Sequence, residues 1–211
     1  MIPQLAARFE TAAQLPGAEY LAKLRYLILP IREADAVPQP LRCKTLLELP
    51  RAAFGTVEPD TMRRLAALEG SGFAGVVANN LAQFGYASPL PVFGGLGLNV
   101  TNPMSAAEYV CLGACGLLVQ PETALTAMRA VAPRQKDGTP VPTAALCYGH
   151  LPLMLTRACP LRNVRTSCAG CTHKGKLRDR KGRDFPVRCS APGSAMRTVL
   201  TVSPLLYGGT A

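Results

Sequence analysis

The sequence predicts an α/β fold. It reads as a parallel sheet of about six strands alternating with helices, followed by a small cysteine-rich β-hairpin region. Three observations carry this reading. Short apolar runs alternate with stretches of helical periodicity as far as Tyr148. The strand runs are continuously apolar, the pattern of strands covered on both faces, hence of a parallel sheet. Beyond them the composition changes abruptly to Lys, Arg and Cys. Six strands fall short of the eight that close a TIM-type barrel. The fold is therefore read as a partial TIM-type barrel, incomplete or completed by another chain or a segment outside this sequence.

The first 23 residues read as a weakly amphipathic helix broken near Pro16-Gly17. Tyr26 to Ile31 is a short apolar run and a predicted buried strand, and residues 33–42, with two prolines, form a loop. Leu46 to Leu49 is the second strand. Pro59 and Asp60 suit a first helical turn, Met62, Leu65, Ala66 and Leu68 continue it, and Gly70 stops it. Strands follow at Phe73–Ala78 and Val92–Val100. Ser105 and Glu108 have capping-box spacing and predict a helix start. Leu117 to Val119 is strand, Glu122 to Val131 helix, and Ala144 to Tyr148 the last strand. The chain thus divides into an N-terminal helical and linker segment, 1–44, a partial barrel, 45–156, and a cysteine-rich region, 157–211.

Composition excludes several classes. The chain has 211 residues, and 48% of them are apolar, too many for a disordered chain. Its start lacks a basic stretch followed by an apolar run, so a cytoplasmic location is expected, with the eight cysteines as thiols or metal ligands rather than a disulfide set. The longest uncharged stretch, Gly70 to Ala107, is broken by Gly, Pro, Asn, Ser and Gln, unlike a membrane helix.

Charge is unevenly placed. Residues 157–188 hold ten Lys and Arg against two acids, +8 of the net +10, while the other 179 residues carry thirteen against eleven. Such a concentration favours an acidic partner such as RNA, although a solvated surface hairpin gives the same count. Arg178, Arg180, Lys181 and Arg183 are the nucleic-acid-binding candidates. In this stretch Cys159, Cys168, Cys171 and Cys189 are spaced C-x8-C-x2-C-x17-C. A C-x2-C pair lets two thiolates from one turn reach one metal, and two more complete four-coordination. Spacing alone favours zinc over iron–sulfur. Lys176 to Arg180, a turn at Lys181-Gly182, and Arg183 to Val187 read as a hairpin that brings Lys176 beside Arg188 and returns Cys189 towards Cys171. Cys111, Cys115 and Cys147 read as core residues.

Polar residues gather after several strands: Asn79 and Asn80, Asn99 to Asn102, Gln120 and Glu122, Tyr148 and His150. The C-terminal strand ends form the functional face of α/β folds, although turns and caps use the same residue types. Asn99, Glu122 and His150 are the catalytic candidates. No H-E-x-x-H, G-x-S-x-G or phosphate-loop motif is present, and there are two histidines, His150 and His173.

The runs Cys147-Tyr148-Gly149-His150-Leu151-Pro152-Leu153-Met154 and Cys159-Pro160 resemble the collagenase-like peptidase family, peptidase family U32. So do Leu177 to Gly182, Phe185-Pro186-Val187 and Cys189, and upstream Gly97 to Asn102, Ser105 and Pro121-Glu122. The resemblance covers about residues 45–206. It implies a TIM-type barrel and, in several branches, a four-iron four-sulfur cluster, with Cys159, Cys168, Cys171 and Cys189 as its ligands here; this reverses the preference for zinc. Those branches act in oxygen-independent hydroxylation of tRNA or rRNA bases or of quinone precursors, and other members carry a peptidase label. The expectation is an iron–sulfur RNA-modifying protein or its C-terminal part. The rival readings are a peptidase and a non-catalytic, metal-stapled binding module. Gln120-Pro121-Glu122 departs from the family's Ser-x-Glu, and Thr201-Val202-Ser203 departs from its Asn-Ser pair.

Overall fold

The computed structural model describes residues 4–86, 90–156, 158–160, 171–172, 174–189, 197–200 and 205–206. The chain forms two compact units, residues 1–145 and 146–211.

The first unit is a mixed α/β structure built on a seven-stranded, all-parallel sheet curled into a half-barrel. Its strands are β1 (Leu5–Arg8), β2 (Leu24–Pro30), β3 (Thr45–Glu48), β4 (Gly75–Ala78), β5 (Val92–Gly94), β6 (Ala114–Val119) and β7 (Thr143–Ala145). They lie side by side in sequence order, each crossing to the next in parallel. The connecting helices are α1 (Ala18–Ala22), α2 (Gln39–Arg42), α3 (Val57–Ala67), α4 (Gln83–Tyr86), α5 (Pro103–Cys111) and α6 (Leu125–Ala130).

The uninterrupted apolar runs have the cause the sequence implied. Successive strand side chains point to opposite faces. Leu46 and Leu47 are 3% and 0% exposed, and all four residues of β4 are buried, so both faces are covered. Burying one such Leu contributes roughly 1.5–3 kcal/mol. Around β2 to β4 the core joins Leu29, Leu47 and Val76 to Leu65 and Leu68 of the α3 region. A second cluster gathers Val100, Val110, Leu117 and Val119 around α5 and β6, and Phe84 packs against both clusters.

Four expectations are corrected. The first 23 residues are not one helix: Leu5–Arg8 is a strand paired with β2, which makes seven strands rather than six. Four residues are too short a run to show strand periodicity, and the parallel partner decides the outcome. Val92–Val100 is not one strand. It ends at Gly94 and turns through Leu96–Leu98, and Val100 returns as a single bridge to Val119. The α5 helix opens at Asn102, whose side chain accepts from the Ser105 N–H at 2.9 Å, so Pro103 occupies the first turn and Ser105 lies inside. The sixth helix is shorter than expected and starts at Leu125.

The second unit holds β8 (Tyr148–Gly149), β9 (Pro152–Thr156), β10 (Lys174–Arg178), β11 (Asp184–Cys189), β12 (Arg197–Leu200) and β13 (Leu205–Leu206). An antiparallel four-stranded sheet runs β10-β11-β12-β9, and β13 pairs with β8. The predicted last strand of the barrel series, Ala144–Tyr148, is divided: Ala145 closes β7 in the first unit and Tyr148 opens β8 in the second. Among the described residues no helix is long and apolar enough to cross a membrane.

Candidate functional site

The C-terminal strand ends of the first unit hold two polar groups of different character. Asn79 and Gln83 are 2% and 0% exposed. Asn79 Nδ2 donates to the Leu49 carbonyl at 3.0 Å, and its Oδ1 accepts from the Gly97 N–H at 3.1 Å. Gln83 Oε1 accepts from the Asn79 N–H at 2.6 Å, while its Nε2 donates to the Pro50 carbonyl at 2.7 Å. These two amides fasten the segments leaving β3, β4 and β5 to one another. Gly97 is required there, because a Cβ would overlap the Asn79 carbonyl. Asn79 is thus a scaffold residue. Asn80, next to it, contributes backbone groups alone.

Further along the same face, Asn99 is exposed and left-handed at φ 56°, ending the turn after β5. Asn is among the few residues that adopt this conformation without much strain. Glu122 is exposed, between two partly buried residues whose oxygens, Gln120 Oε1 and Thr123 Oγ1, are buried without a hydrogen-bond partner. His150 is exposed and lies in the second unit. No described hydrogen bond or ion pair joins Asn99 to Glu122, and His150 belongs to the other unit.

Sequence reasoning passed over a charged cluster at the ends of β1 and β3. Arg8 donates through Nε to Glu48 at 2.8 Å, its Nη2 lies 2.7 Å from the same carboxylate, and Nη1 donates to Glu10 at 2.7 Å. Arg32 donates to the Glu10 carbonyl at 3.0 Å. Burial opposes charge on Arg8, but Glu48 and Glu10 outweigh it and hold the guanidinium above its usual value. Burial likewise acts on Glu10, and Arg8 with Arg32 prevails, keeping it below the usual carboxylate range. The available signal was a Glu closing the apolar run Leu46-Leu47 and an Arg closing Leu5-Ala6-Ala7.

In the second unit, the register shows where the cysteines lie. Cys189 pairs with position 197, which pairs with Thr156, so one row crosses β11, β12 and β9. Cys159 follows Thr156 by three residues. Cys171 precedes by three residues Lys174, which faces Arg188. The segments carrying Cys159, Cys171 and Cys189 therefore leave one end of the sheet, and β11 and β9 lie about 10 Å apart at about 4.8 Å per strand. Cys168 lies outside the described residues. Among the described residues no three His, Cys, Asp or Glu side chains form a ready metal cage. The soft sulfur donors and their shared sheet end fit a metal–thiolate centre. Cys111 and Cys147 are exposed and Cys115 half-buried, which corrects their reading as core residues.

The hairpin turns where expected, but Lys174 rather than Lys176 faces Arg188. Cross-strand pairing puts Lys174, Lys176, Arg178 and Arg188 on one face and Leu177, Phe185 and Val187 on the other. Cys189, two residues from Val187, shares the apolar face. Arg178 donates to Asp184 at 2.7 and 3.0 Å and Lys176 at 2.6 Å; these hydrogen bonds hold the Asp184 carboxyl far below its usual range. Arg183 donates to Asp179 at 2.9 Å, and its guanidinium lies 5.9 Å from the Phe185 ring centre. The Arg183 and Lys181 N–H groups donate to the same aspartate at 2.9 and 2.8 Å, and Asp179 too titrates below its usual value, the Arg183 N–H being the main cause. Arg180 and Lys181 are exposed, and neither side chain has an ion-pair partner among the described residues.

No protein-family model matches the sequence, and no curated protein matches it. A solved structure of the U32 peptidase Mk0906 is similar, with a TM-score of 0.43 and 13% identity, over 64% of this chain and 70% of that one.

Proposed function

We propose that the chain is an iron–sulfur RNA-modifying protein or the C-terminal part of one, acting in base hydroxylation of tRNA or rRNA. In this reading Cys159, Cys168, Cys171 and Cys189 hold a four-iron four-sulfur cluster, and the hairpin binds RNA phosphates. The observation that supports it is the four-stranded sheet of the second unit. One end gathers the segments of three cysteines, and the hairpin growing from that sheet carries an exposed cationic face. When bound, such a cluster supplies one-electron redox chemistry. The protein's own part is to fix the thiolates and to hold the nucleic acid. Cations in the surrounding sequence offset the negative charge of a metal–thiolate centre.

The test is anaerobic purification with iron and sulfide analysis and an absorption spectrum. The wild type is expected to carry iron and sulfide, and the double variant Cys168→Ser, Cys171→Ser to carry neither. Full iron in that variant, or zinc in place of iron in the wild type, overturns the cluster assignment. Turnover of a peptide by metal-free protein would transfer the reading to a peptidase.

A further inference from the structure

The charged cluster at the ends of β1 and β3 leaves one guanidinium over. Arg8 has engaged Nε, Nη1 and Nη2 with Glu48 and Glu10, and Arg32 is spent on Glu10 and Glu33. Arg51 follows Glu48 by three residues. It is partly buried and has no hydrogen-bond or ion-pair partner among the described residues. Burial pushes its guanidinium below the usual value; Glu48 pulls it back and Arg8 adds to the depression. Its donors keep access to solvent and are answered by no protein acceptor among the described residues, so they are open to an acceptor that is not part of the fold.

The backbone delivering Arg51 is fixed. The Leu49 N–H donates to the Val77 carbonyl at 2.9 Å, the Leu49 carbonyl accepts from Asn79, and the Pro50 carbonyl accepts from Gln83. The two buried amides thus hold the residues immediately ahead of Arg51. A rigid fork on a pinned strand end loses little entropy when it closes on a planar or tetrahedral oxyanion. Its place, at the C-terminal ends of parallel strands, is where such sheets bind their ligands.

We propose that Arg51 is an oxyanion receptor at the C-terminal ends of β1 and β3, gripping the phosphate or carboxylate group of a substrate through two guanidinium N–H groups. Glu48 is its governor: by engaging Arg8 and facing Arg51 it keeps the site near neutrality until an anion arrives. This site belongs to the first unit, and the cysteines and hairpin to the second.

The experiment is a titration of the full chain, labelled with nitrogen-15, with inorganic phosphate and separately with acetate, following the arginine Nε–H signals. The Arg51 signal is expected to move saturably in the millimolar range or tighter. Stronger binding of phosphate identifies a phosphoryl ligand, and stronger binding of acetate a carboxylate. Arg51→Ala should weaken binding, read at the Leu49 and Val77 amides, by about tenfold or more. Glu48→Gln should strengthen it several-fold, an effect opposite in sign to simple damage. An Arg51 signal that neither anion moves, unchanged binding in Arg51→Ala, or weaker binding in Glu48→Gln overturns the proposal. Hairpin arginines have their own signals, so a failure of the RNA reading is seen separately.

Discussion

Replacing Asn79 by Ala removes two hydrogen bonds that no neighbour can remake. The Leu49 carbonyl loses its 3.0 Å donor, and the Gly97 N–H loses its 3.1 Å acceptor. Asn79 is 2% exposed, so water does not readily replace either partner. A buried polar group left unsatisfied costs about 1–3 kcal/mol, so the pair should cost about 3 kcal/mol. For a chain of this size each kcal/mol lowers the melting temperature by roughly 2–4 °C, giving a fall of roughly 6–12 °C. The control is Asn80→Ala. That side chain makes no hydrogen bond among the described residues, and its loss should stay within about 0.5 kcal/mol. Thermal unfolding by circular dichroism measures both variants. Amide exchange adds a local reading, since the Gly97 N–H should exchange faster in Asn79→Ala alone. Equal melting temperatures for the two variants, or a cost for Asn79→Ala below about 1 kcal/mol, would refute the assignment of Asn79 as the clasp of three strand ends.

Two further outcomes follow from the hairpin. The Asp184 carboxyl is held well below the ordinary value of 3.8 by Arg178 and Lys176, so its ion pair is formed above the unfolded value and lost as pH falls through the depressed folded value. A carbon-13 carboxyl titration should therefore show Asp184 still ionised at pH 3.8, and a midpoint at or above 3.8 contradicts the pairing. If the hairpin binds single-stranded RNA, the Arg180→Ala, Lys181→Ala double variant should flatten the salt dependence by about 1.4, at about 0.7 per phosphate. Arg178→Ala alone should change it less, and an unchanged slope in the double variant rejects the phosphate role.

What could be read from the sequence was what local pattern encodes. Apolar runs such as Leu46-Leu47 and Gly75 to Ala78 announce a sheet covered on both faces, and they form one. The hairpin is legible because Lys181-Gly182 is a turn whose flanks pair in sequence. β1 was not legible, since four residues become a strand only when β2 lies beside them. Nor could Asn79 be told from Asn80: the difference is which side chain meets a carbonyl 30 residues upstream. Arg8, Glu48 and Arg51 read as isolated charges until parallel pairing sets the ends of β1 and β3 at the same end of the sheet.

Charge shows the same limit in another form. The sequence counts seven cations against two acids in residues 174–189. The fold spends three of the seven: Lys176 and Arg178 on Asp184, and Arg183 on Asp179. Exposed pairs contribute little stability, but they still lower the charge available to a partner. The uncommitted cations then fall at the two ends of the hairpin. Lys174 and Arg188 face each other at the end that carries the cysteine segments, and Arg180 and Lys181 lie in the turn. On the proposed reading the turn pair meets phosphate, while Lys174 and Arg188 lie on the face opposite Cys189. Asp184, lodged between the two ends, pairs with both Lys176 and Arg178 and leaves the middle of the face with one net positive charge. The charge open to an acidic partner is therefore that of the turn and of the sheet end, not that of the whole basic stretch which the sequence counts.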